Sequence, residues 1–424
     1  MNDIIDLTPF ALAHGGEAIG RHEGRAIFVP YTMPGERVRV EIVEDHQRYA
    51  RARLVEVLEP TPARVTPGCP YFGPDKCGGC QLQHIAYPVQ VRLKGRVVVD
   101  QLQRIGKFDA PPVLEPIPDA RGWEYRNRAL FHTTEEGIPG FLAAGSQEVY
   151  PVEDCLILHP LLSQLYRSLQ MQQPNVEKME LRVGAATGDL MVILQTYDEE
   201  PPSLEVDFPL SIVQVRHDTT PTPLVGLDYI TEVVHGREFR ISATSFFQVN
   251  SAQAEQLVTL VLDALDLEGD EVVVDAYCGV GLFTAFIADQ ANLVVGIELN
   301  PDAIDDAVYN LADAENVTLL EGLVEYALPE VEERVDAVVL DPPRAGLETE
   351  ALDALVAHEP ARIVYVSCDP ATLARDLRRL VRAGYTLAWV QPVDLFPQTY
   401  HIENVALLTR SVSPASQSPK SGVH

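Results

Sequence analysis

The sequence predicts an α/β protein. Its C-terminal half reads as a doubly wound, mostly parallel sheet, preceded by a small β-barrel and a mixed α+β region. Three observations carry this. From about residue 252, helical and extended patterns alternate in short regular blocks, as in strands joined by crossover helices. The first sixty residues show short apolar runs separated by Gly and Pro turns. Between these regions lie a Pro-rich linker and a cysteine cluster that fit neither pattern.

Taken in order, Ala26–Val29, Val38–Val43 and Ala52–Val57 are the clearest early strands, and Gly15-Gly16, Met33-Pro34-Gly35 and Pro60 mark turns. Five or so strands at this spacing predict a barrel of oligonucleotide-binding type over residues 1–61. Arg37, Arg39, Arg48, Arg51 and Arg53 alternate with apolar residues and can line one outer face; a merely solvated strand face fits them equally well. A central domain over 62–235 opens with the Pro-rich linker and the cysteines. A helix over 89–105 follows, with Val91, Val98, Leu102 and Ile105 on one face and a poor helix former, Gly95, in its middle. Pro111-Pro112 prevents its continuation. Further strands are expected at 190–194 and 210–215. The third domain, 236–412, begins with helix 252–266, strand 271–275, helix 282–289, strand 293–297 and helix 301–313. Strands 317–320 and 335–340, helix 348–357, strand 362–366 and helix 371–383 come next, and runs at 387–393 and 405–408 supply the last strands. The Ser- and Pro-rich tail, 413–424, has the composition of a disordered segment.

The chain has 424 residues, with 32 basic against 62 acidic side chains and a net charge of −30. Taken alone, that argues against a nucleic-acid partner, because phosphate contacts need Lys and Arg. The distribution softens the argument: residues 1–64 hold eight Arg against ten Asp and Glu, and 27 of the 32 basic residues are Arg, the better fork for phosphates and bases. No apolar run reaches the roughly 18 residues of a membrane span, and Met1–Phe10 lacks a basic region followed by an apolar one. A cytoplasmic monomer with no membrane partner is expected. In such a chain the six cysteines point to metal binding or catalysis rather than to a disulfide framework.

The strand Ile363–Val366 runs into Ser367-Cys368-Asp369-Pro370 and then a helix. A cysteine at the carboxyl end of a strand stands where open α/β sheets place their active sites, so Cys368 is a candidate nucleophile; a buried packing thiol is the competing reading. The first βα turn, Asp275-Ala-Tyr-Cys-Gly-Val-Gly281, lets a ligand approach the backbone closely, although Thr284 stands where a dinucleotide fingerprint has its third Gly. The next strand ends at Glu298, a carboxylate placed to accept ribose hydroxyls. Together these fit the nucleoside half of S-adenosylmethionine. Asp341-Pro-Pro-Arg344 freezes Asp341 at the same sheet edge. His401 and Glu403 precede the last strand, and either can act as a general base beside Cys368. Cys278, beside the glycine turn, reads as packing. Cys69, Cys77 and Cys80, with Cys155 far downstream, suit a four-thiolate site for an iron–sulfur cluster or zinc.

As a set in this order, the cysteine quartet, Ser245-Phe-Phe-Gln-Val-Asn250, Asp275–Gly281, Asp341-Pro-Pro-Arg-Ala-Gly346, Ser367–Pro370 and His401-Ile-Glu-Asn404 resemble the RNA uracil-5-methyltransferase family. The likeness is greatest to its branch acting on 23S ribosomal RNA, which carries a [4Fe-4S] cluster. The first sixty residues look like a TRAM domain, and residues 236–412 like a Rossmann-like methyltransferase domain. The resemblance implies Cys368 as nucleophile and Glu403 as base. It implies Gln248, Tyr277, Gly279, Gly281, Glu298 and Asp341 as contacts to S-adenosylmethionine, and Cys69, Cys77, Cys80 and Cys155 as cluster ligands. The implied substrate is a uridine of RNA, ribosomal rather than transfer RNA, methylated at C5 through a covalent Cys–C6 adduct. Three departures stand out. Leu282 replaces the family's usual Asn, the first cysteine gap is seven residues where five is usual, and the acidity makes RNA contacts depend on local groups such as Arg126 and Arg128. The alternatives are transfer-RNA uridine methylation, RNA cytosine-5 methylation, against which Pro342-Pro343 in place of Pro-Cys argues, and a non-catalytic iron–sulfur RNA-binding protein.

Overall fold

The computed structural model describes residues 3–169, 175–196, 209–216 and 221–410. The tail expected to be disordered, 413–424, lies outside the described residues.

The first sheet comprises β1 (Ile4–Leu7), β2 (Ala11–Leu12), β3 (Ala18–His22), β4 (Arg25–Val29), β5 (Arg37–Asp45) and β6 (Tyr49–Glu59), in the order β1-β5-β6-β4-β3-β2. It curls so tightly that a Cβ on Gly20 of β3 would meet the Leu7 side chain of β1 at 2.6 Å. Inside lie Leu7, Ile27, Val29, Val38, Val40, Ala50 and Ala52, the alternate residues of each strand. Arg37, Arg39, Arg51 and Arg53 do face outward, but each is paired with the barrel's own carboxylates. Arg37 reaches Asp6 and Glu59, Arg39 reaches Asp6, Arg51 reaches Glu17, and Arg53 reaches Glu41. Arg48 sits in the β5–β6 turn rather than on the strand.

Helix α1 (Tyr87–Arg104) follows the cysteine loop. A Cβ at Gly95 would meet Pro116 Cγ at 2.5 Å, so the residue that weakens the helix lets the segment after it pack closely. That segment adds bridges from Val113 to Val390 and from Ile117 to Val393, at the edge of the C-terminal sheet. Lys94 is buried and donates to Asp394 Oδ1 (2.7 Å) and the Phe396 carbonyl (2.9 Å), tying α1 to the loop before the last strand.

The second sheet runs β13-β12-β11-β10-β7-β8-β9. Its strands are β7 (Arg128–Thr133), β8 (Pro139–Leu142), β9 (Val149–Pro151), β10 (Val176–Val183), β11 (Leu190–Thr196), β12 (Ser211–Arg216) and β13 (Thr222–Val225). Helix α2 (Pro160–Ser168) packs on it through Leu162, Leu165 and Tyr166. A hairpin, β14 (Tyr229–Val234) and β15 (Arg237–Ser242), turns at His235-Gly236, both at positive φ.

The third sheet has the order β18-β17-β16-β19-β20-β22-β21. Its strands are β16 (Val272–Ala276), β17 (Leu293–Glu298), β18 (Val317–Glu321), β19 (Ala337–Leu340), β20 (Arg362–Ser367), β21 (Thr386–Val393) and β22 (Glu403–Thr409). β16–β20 are parallel; β22 is antiparallel to β20 and to β21. Helices α3 (Ser251–Leu265), α4 (Leu282–Ala288) and α5 (Pro301–Asn310) cover one face. Helix α1, with α6 (Val324–Ala327), α7 (Thr349–Ala357) and α8 (Pro370–Arg382), covers the other. Alternate residues of one strand feed the two cores: Val364 and Val366 face the first layer, Ile363 and Tyr365 the second. Among the described residues no helix is long and apolar enough to cross a membrane.

Candidate active site

The carboxyl ends of β16, β17, β19 and β20 form one rim. β22 runs the other way, so its first residue, Glu403, lies on that rim too. The β20–β22 ladder pairs Val366 with Val405 and ends on Ser367 with Asn404. Cys368 and Glu403, each one residue beyond that last pair, therefore leave the ladder at the same end, and Glu403 pairs with Val393 of β21. The Asn404 side chain donates to the Ser367 carbonyl at 3.1 Å and locks this end of the ladder.

After β20 the chain turns through Cys368 into α8. Asp369 caps the helix: its Oδ1 accepts the Ala371 and Thr372 amides, both at 2.9 Å, and Pro370 occupies the first turn. The other oxygen, Oδ2, lies 3.1 Å from His14 Nε2 of the barrel. Burial acts to raise the Asp369 carboxyl, but His14 and the two amides hold it down at about 2.

Burial, and then the negative charges of Glu403 and Asp341, push the Cys368 thiol up to about 12; Arg344 opposes them through its charge and a hydrogen bond. Glu403 is only 4% exposed, and burial together with Asp341 raises its carboxyl well above the usual range. Asp341 is pushed up to about 7 by burial and then by Asp275. A charge on Asp341 opposes ionisation of Glu403, so the protonation states of the two carboxyls are linked. His401 is pushed down to about 3 by burial and by Arg344, Lys94, Arg126 and His14, and its Nε2 lies 3.4 Å from Arg344 Nη2. It is held neutral beside the guanidinium, whereas Glu403 is near enough for its charge to act on the thiol.

The glycine turn follows β16. Tyr277 has φ +68°, a strained value for a non-glycine residue, and its amide is held by the Ile297 carbonyl. Gly279, at φ +56°, has no atom within 4 Å of a built Cβ, so its face opens onto space. Gly281 instead packs, since a Cβ there would meet Leu311 at 2.9 Å. Glu298 accepts the Gly279 amide at 3.0 Å and the Leu299 and Asn300 amides at 2.8 Å. Gln248 donates to Asp341 Oδ2 at 3.4 Å, joining the strand-end carboxylate to the loop before α3. Asp275 Oδ2 accepts the Thr284 hydroxyl at 2.6 Å, while its buried Oδ1 has no partner. An open glycine face, an unsatisfied buried carboxylate oxygen and a strand-end glutamate fit a nucleoside that carries an amino-acid chain. Leu282 is buried in the core at the start of α4, so no polar group replaces the Asn it supplants. Cys278 is buried against Gly296, as packing requires.

Cys69, Cys77, Cys80 and Cys155 line one cavity of about 170 Å³, shared with Tyr71, Phe72 and Phe141. All four are free thiols. The loop is pinned by the Gly78 amide on the Leu142 carbonyl at 2.9 Å, and a Cβ at Gly78 would strike that oxygen. Among the described residues no three His, Cys, Asp or Glu side chains converge closely enough to hold a metal ion. The expected iron–sulfur site is therefore a gathering of thiols around a cavity, not a preformed ligand cage.

Two groups escape the sequence reading. Arg344 is visible in Asp341-Pro-Pro-Arg344, but nothing in its spacing reveals that it meets Cys368. His14 lies 355 residues from Asp369, and only its Gly15-Gly16 turn is legible. The arginines expected to meet RNA are committed within the chain. Arg128 forms a two-pronged pair with Glu180 (2.7 and 2.9 Å), and Arg126 donates to the Arg128 carbonyl at 2.8 Å.

Comparison with known proteins agrees with this architecture. A model of the tRNA (uracil-5-)-methyltransferase family matches residues 212–411, and a TRAM domain model matches residues 6–55. An uncharacterised RNA methyltransferase of Halalkalibacterium halodurans is 38% identical, over 96% of this chain and 97% of its own. Another, from Nostoc sp., is 36% identical over 97% of each. Among solved structures, the Pyrococcus abyssi tRNA (uracil-54, C5)-methyltransferase in complex with S-adenosyl-L-homocysteine is 27% identical. Its TM-score is 0.74, over 96% of this chain and 100% of that one.

Proposed function

The chain belongs to the RNA uracil-5-methyltransferase family and is a methyltransferase, and from that premise we propose that it methylates C5 of a uridine in 23S ribosomal RNA through a covalent Cys368 adduct. The observation that carries the reading is that a thiol and a carboxylate stand at one sheet edge, Cys368 just after β20 and Glu403 at the start of the antiparallel β22, with the open glycine turn on the same rim. Transfer RNA is the second substrate reading, favoured by the activity named for the P. abyssi structure.

C5 of uracil is a weak nucleophile. The Cys368 thiolate adds to C6, forming a C–S bond and pushing the C5–C6 π electrons toward C5 and O4 as an enolate. Arg344, whose guanidinium acts to lower the Cys368 pKa, is the group assigned to stabilise the thiolate. S-adenosylmethionine, when bound, would supply an electrophilic methyl on its sulfonium; C5 would take that methyl as the methyl–sulfur bond breaks, its electron pair staying on sulfur as S-adenosylhomocysteine leaves. Glu403 then removes the C5 proton, the double bond re-forms, and the C–S bond breaks to release the thiolate. Asp341, Gln248, Tyr277, Gly279, Gly281 and Glu298 are assigned to holding the donor. Burial and the neighbouring Asp341 favour the protonated form of Glu403. A positive charge brought beside Asp341 favours the fully ionised pair, which leaves Glu403 free to accept.

The full chain incubated with methyl-labelled S-adenosylmethionine and unmodified 23S or transfer RNA transcripts should place label in 5-methyluridine. Label confined to transfer RNA would move the substrate to the second reading, and label only in 5-methylcytidine would overturn uracil chemistry.

We assign Cys69, Cys77, Cys80 and Cys155 to a [4Fe-4S] cluster. Four thiols spread around a cavity with apolar walls suit a bulky cluster better than one tightly held ion. Protein prepared without oxygen should carry iron and a broad visible absorbance, both lost in Cys80→Ser. Zinc in place of iron would refute the assignment.

A further inference from the structure

We propose that His14 of the N-terminal barrel is a positioning residue for Cys368, acting through Asp369; the inference rests on the uridine-methylation reading above. The barrel is expected to serve as an RNA-binding module, yet the outward arginines Arg37, Arg39, Arg51 and Arg53 are all engaged by its own carboxylates. It also engages the rest of the molecule through its β2–β3 loop, which reaches the segment beside Cys368.

That loop, Ala13-His14-Gly15-Gly16, is a tight turn closed by the Ala13 amide on the Glu17 carbonyl (2.7 Å), with Gly15 and Gly16 at φ +110° and +87°. The left-handed turn lets it enter a narrow place. A Cβ on Gly16 would meet Gln81 Cβ at 2.9 Å and Tyr400 Cβ at 3.2 Å. The His14 ring meets the Tyr400 ring edge-on, 5.7 Å between centroids, and its Nε2 contacts Asp369 Oδ2 at 3.1 Å. Below the loop, Leu12 and Met33 of the barrel pack with Leu82, Ile85, Leu93 and Val97, so the loop is carried on a fixed support.

Three segments thus converge beside the nucleophile. The barrel loop grips Asp369. The cysteine loop binds the stretch leading to Glu403, with the Gln81 and Leu82 amides on the Gln398 carbonyl (3.1 and 2.9 Å) and the Tyr400 amide on Gln81 Oε1 (3.3 Å). Asp369 itself is divided, one oxygen on α8 and one on His14. Since Asp369 directly follows Cys368, a carboxylate anchored on both sides fixes the peptide that carries the thiol. Without His14 the cap still holds the helix, but one anchor of that peptide is lost. Displacing an attacking atom by about 1 Å is enough to cost on the order of 100-fold in rate.

The test uses the full chain with an unmodified ribosomal RNA transcript, comparing wild type, His14→Ala and His14→Gln. Gln retains a side-chain N–H able to reach the carboxylate. Three quantities are measured: single-turnover methyl transfer at saturating RNA, the RNA Kd, and amide hydrogen exchange at residues 368–373 in the free protein. His14→Ala should slow transfer about 10- to 100-fold with Kd changed less than about twofold, and should speed exchange at 368–373 but not within residues 18–59. His14→Gln should recover most of both effects. A loss wholly in Kd, with the saturated rate intact, would make His14 an RNA contact and overturn the proposal, as would unchanged exchange at 368–373. Should the wild type transfer nothing to uridine in this RNA, the substrate reading fails separately; the exchange measurement then decides the His14 contact alone.

Discussion

Cys368→Ala should lower methyl transfer to uridine by about 10⁴-fold or more, while RNA and S-adenosylmethionine still bind. The adduct is what makes C5 nucleophilic, so removing the sulfur removes the route rather than slowing it. RNA carrying 5-fluorouridine gives a sharper measurement. Once C5 is methylated, fluorine stands where the departing proton should be, and the C–S bond cannot be released. Wild type should therefore be trapped as a complex that survives denaturation, and Cys368→Ala should not be. Equal trapping in both would dismiss Cys368 as the nucleophile. The same assay reports on Arg344. Its charge and hydrogen bond act to lower the Cys368 pKa against burial and two carboxylates. Arg344→Gln therefore raises that pKa. Its trapping rate should fall at neutral pH and climb again as pH rises, over a range displaced upward from wild type.

Glu403→Gln should fail later. Addition and methylation do not need the carboxylate, whereas loss of the C5 proton does. Turnover should drop by about 10²- to 10⁴-fold, and unmodified RNA should accumulate as a methylated covalent complex that Cys368→Ala never forms. His401→Gln is the contrasting variant, because His401 is held neutral beside Arg344. If the adduct accumulated in His401→Gln and not in Glu403→Gln, the base would be the histidine.

The C-terminal sheet was largely legible because its periods are strong. Strands of Val and Ile alternate with helices that carry their own start signals, and α8 begins one residue before the expected position because Asp369-Pro370 makes a cap. Helix α2 was missed. At nine residues it is short, although Pro160 at its start and Leu162, Leu165 and Tyr166 at helical spacing are signal enough. Gly95 looked like a flaw in α1 and is a contact with Pro116, which no local pattern shows. The strand-end residues Cys368, Asp341 and Glu298 could be found because a parallel sheet delivers its strand ends to one edge. Arg344 against Cys368 and His14 against Asp369 are tertiary meetings, and chain spacing carries no record of them. The barrel arginines show the opposite case: the pattern put them outside, but their carboxylate partners come from other strands, so alternation alone could not tell a free cation from a paired one.

β22, the strand reversed against β20, acts as a ruler. Cys368 and Glu403 come from distant parts of the chain, yet each stands one residue from the Ser367–Asn404 pair that ends the β20–β22 ladder, so that ladder fixes how far apart they are delivered. A ladder moves only in whole residues, and each residue advances a strand by about 3.4 Å. Sliding β22 by one place would move Glu403 one residue away from its place beside the β20 end and turn every core side chain of the strand toward the wrong layer. The distance between the two reacting groups is thus digital rather than elastic, protected by the same apolar alternation that builds the sheet.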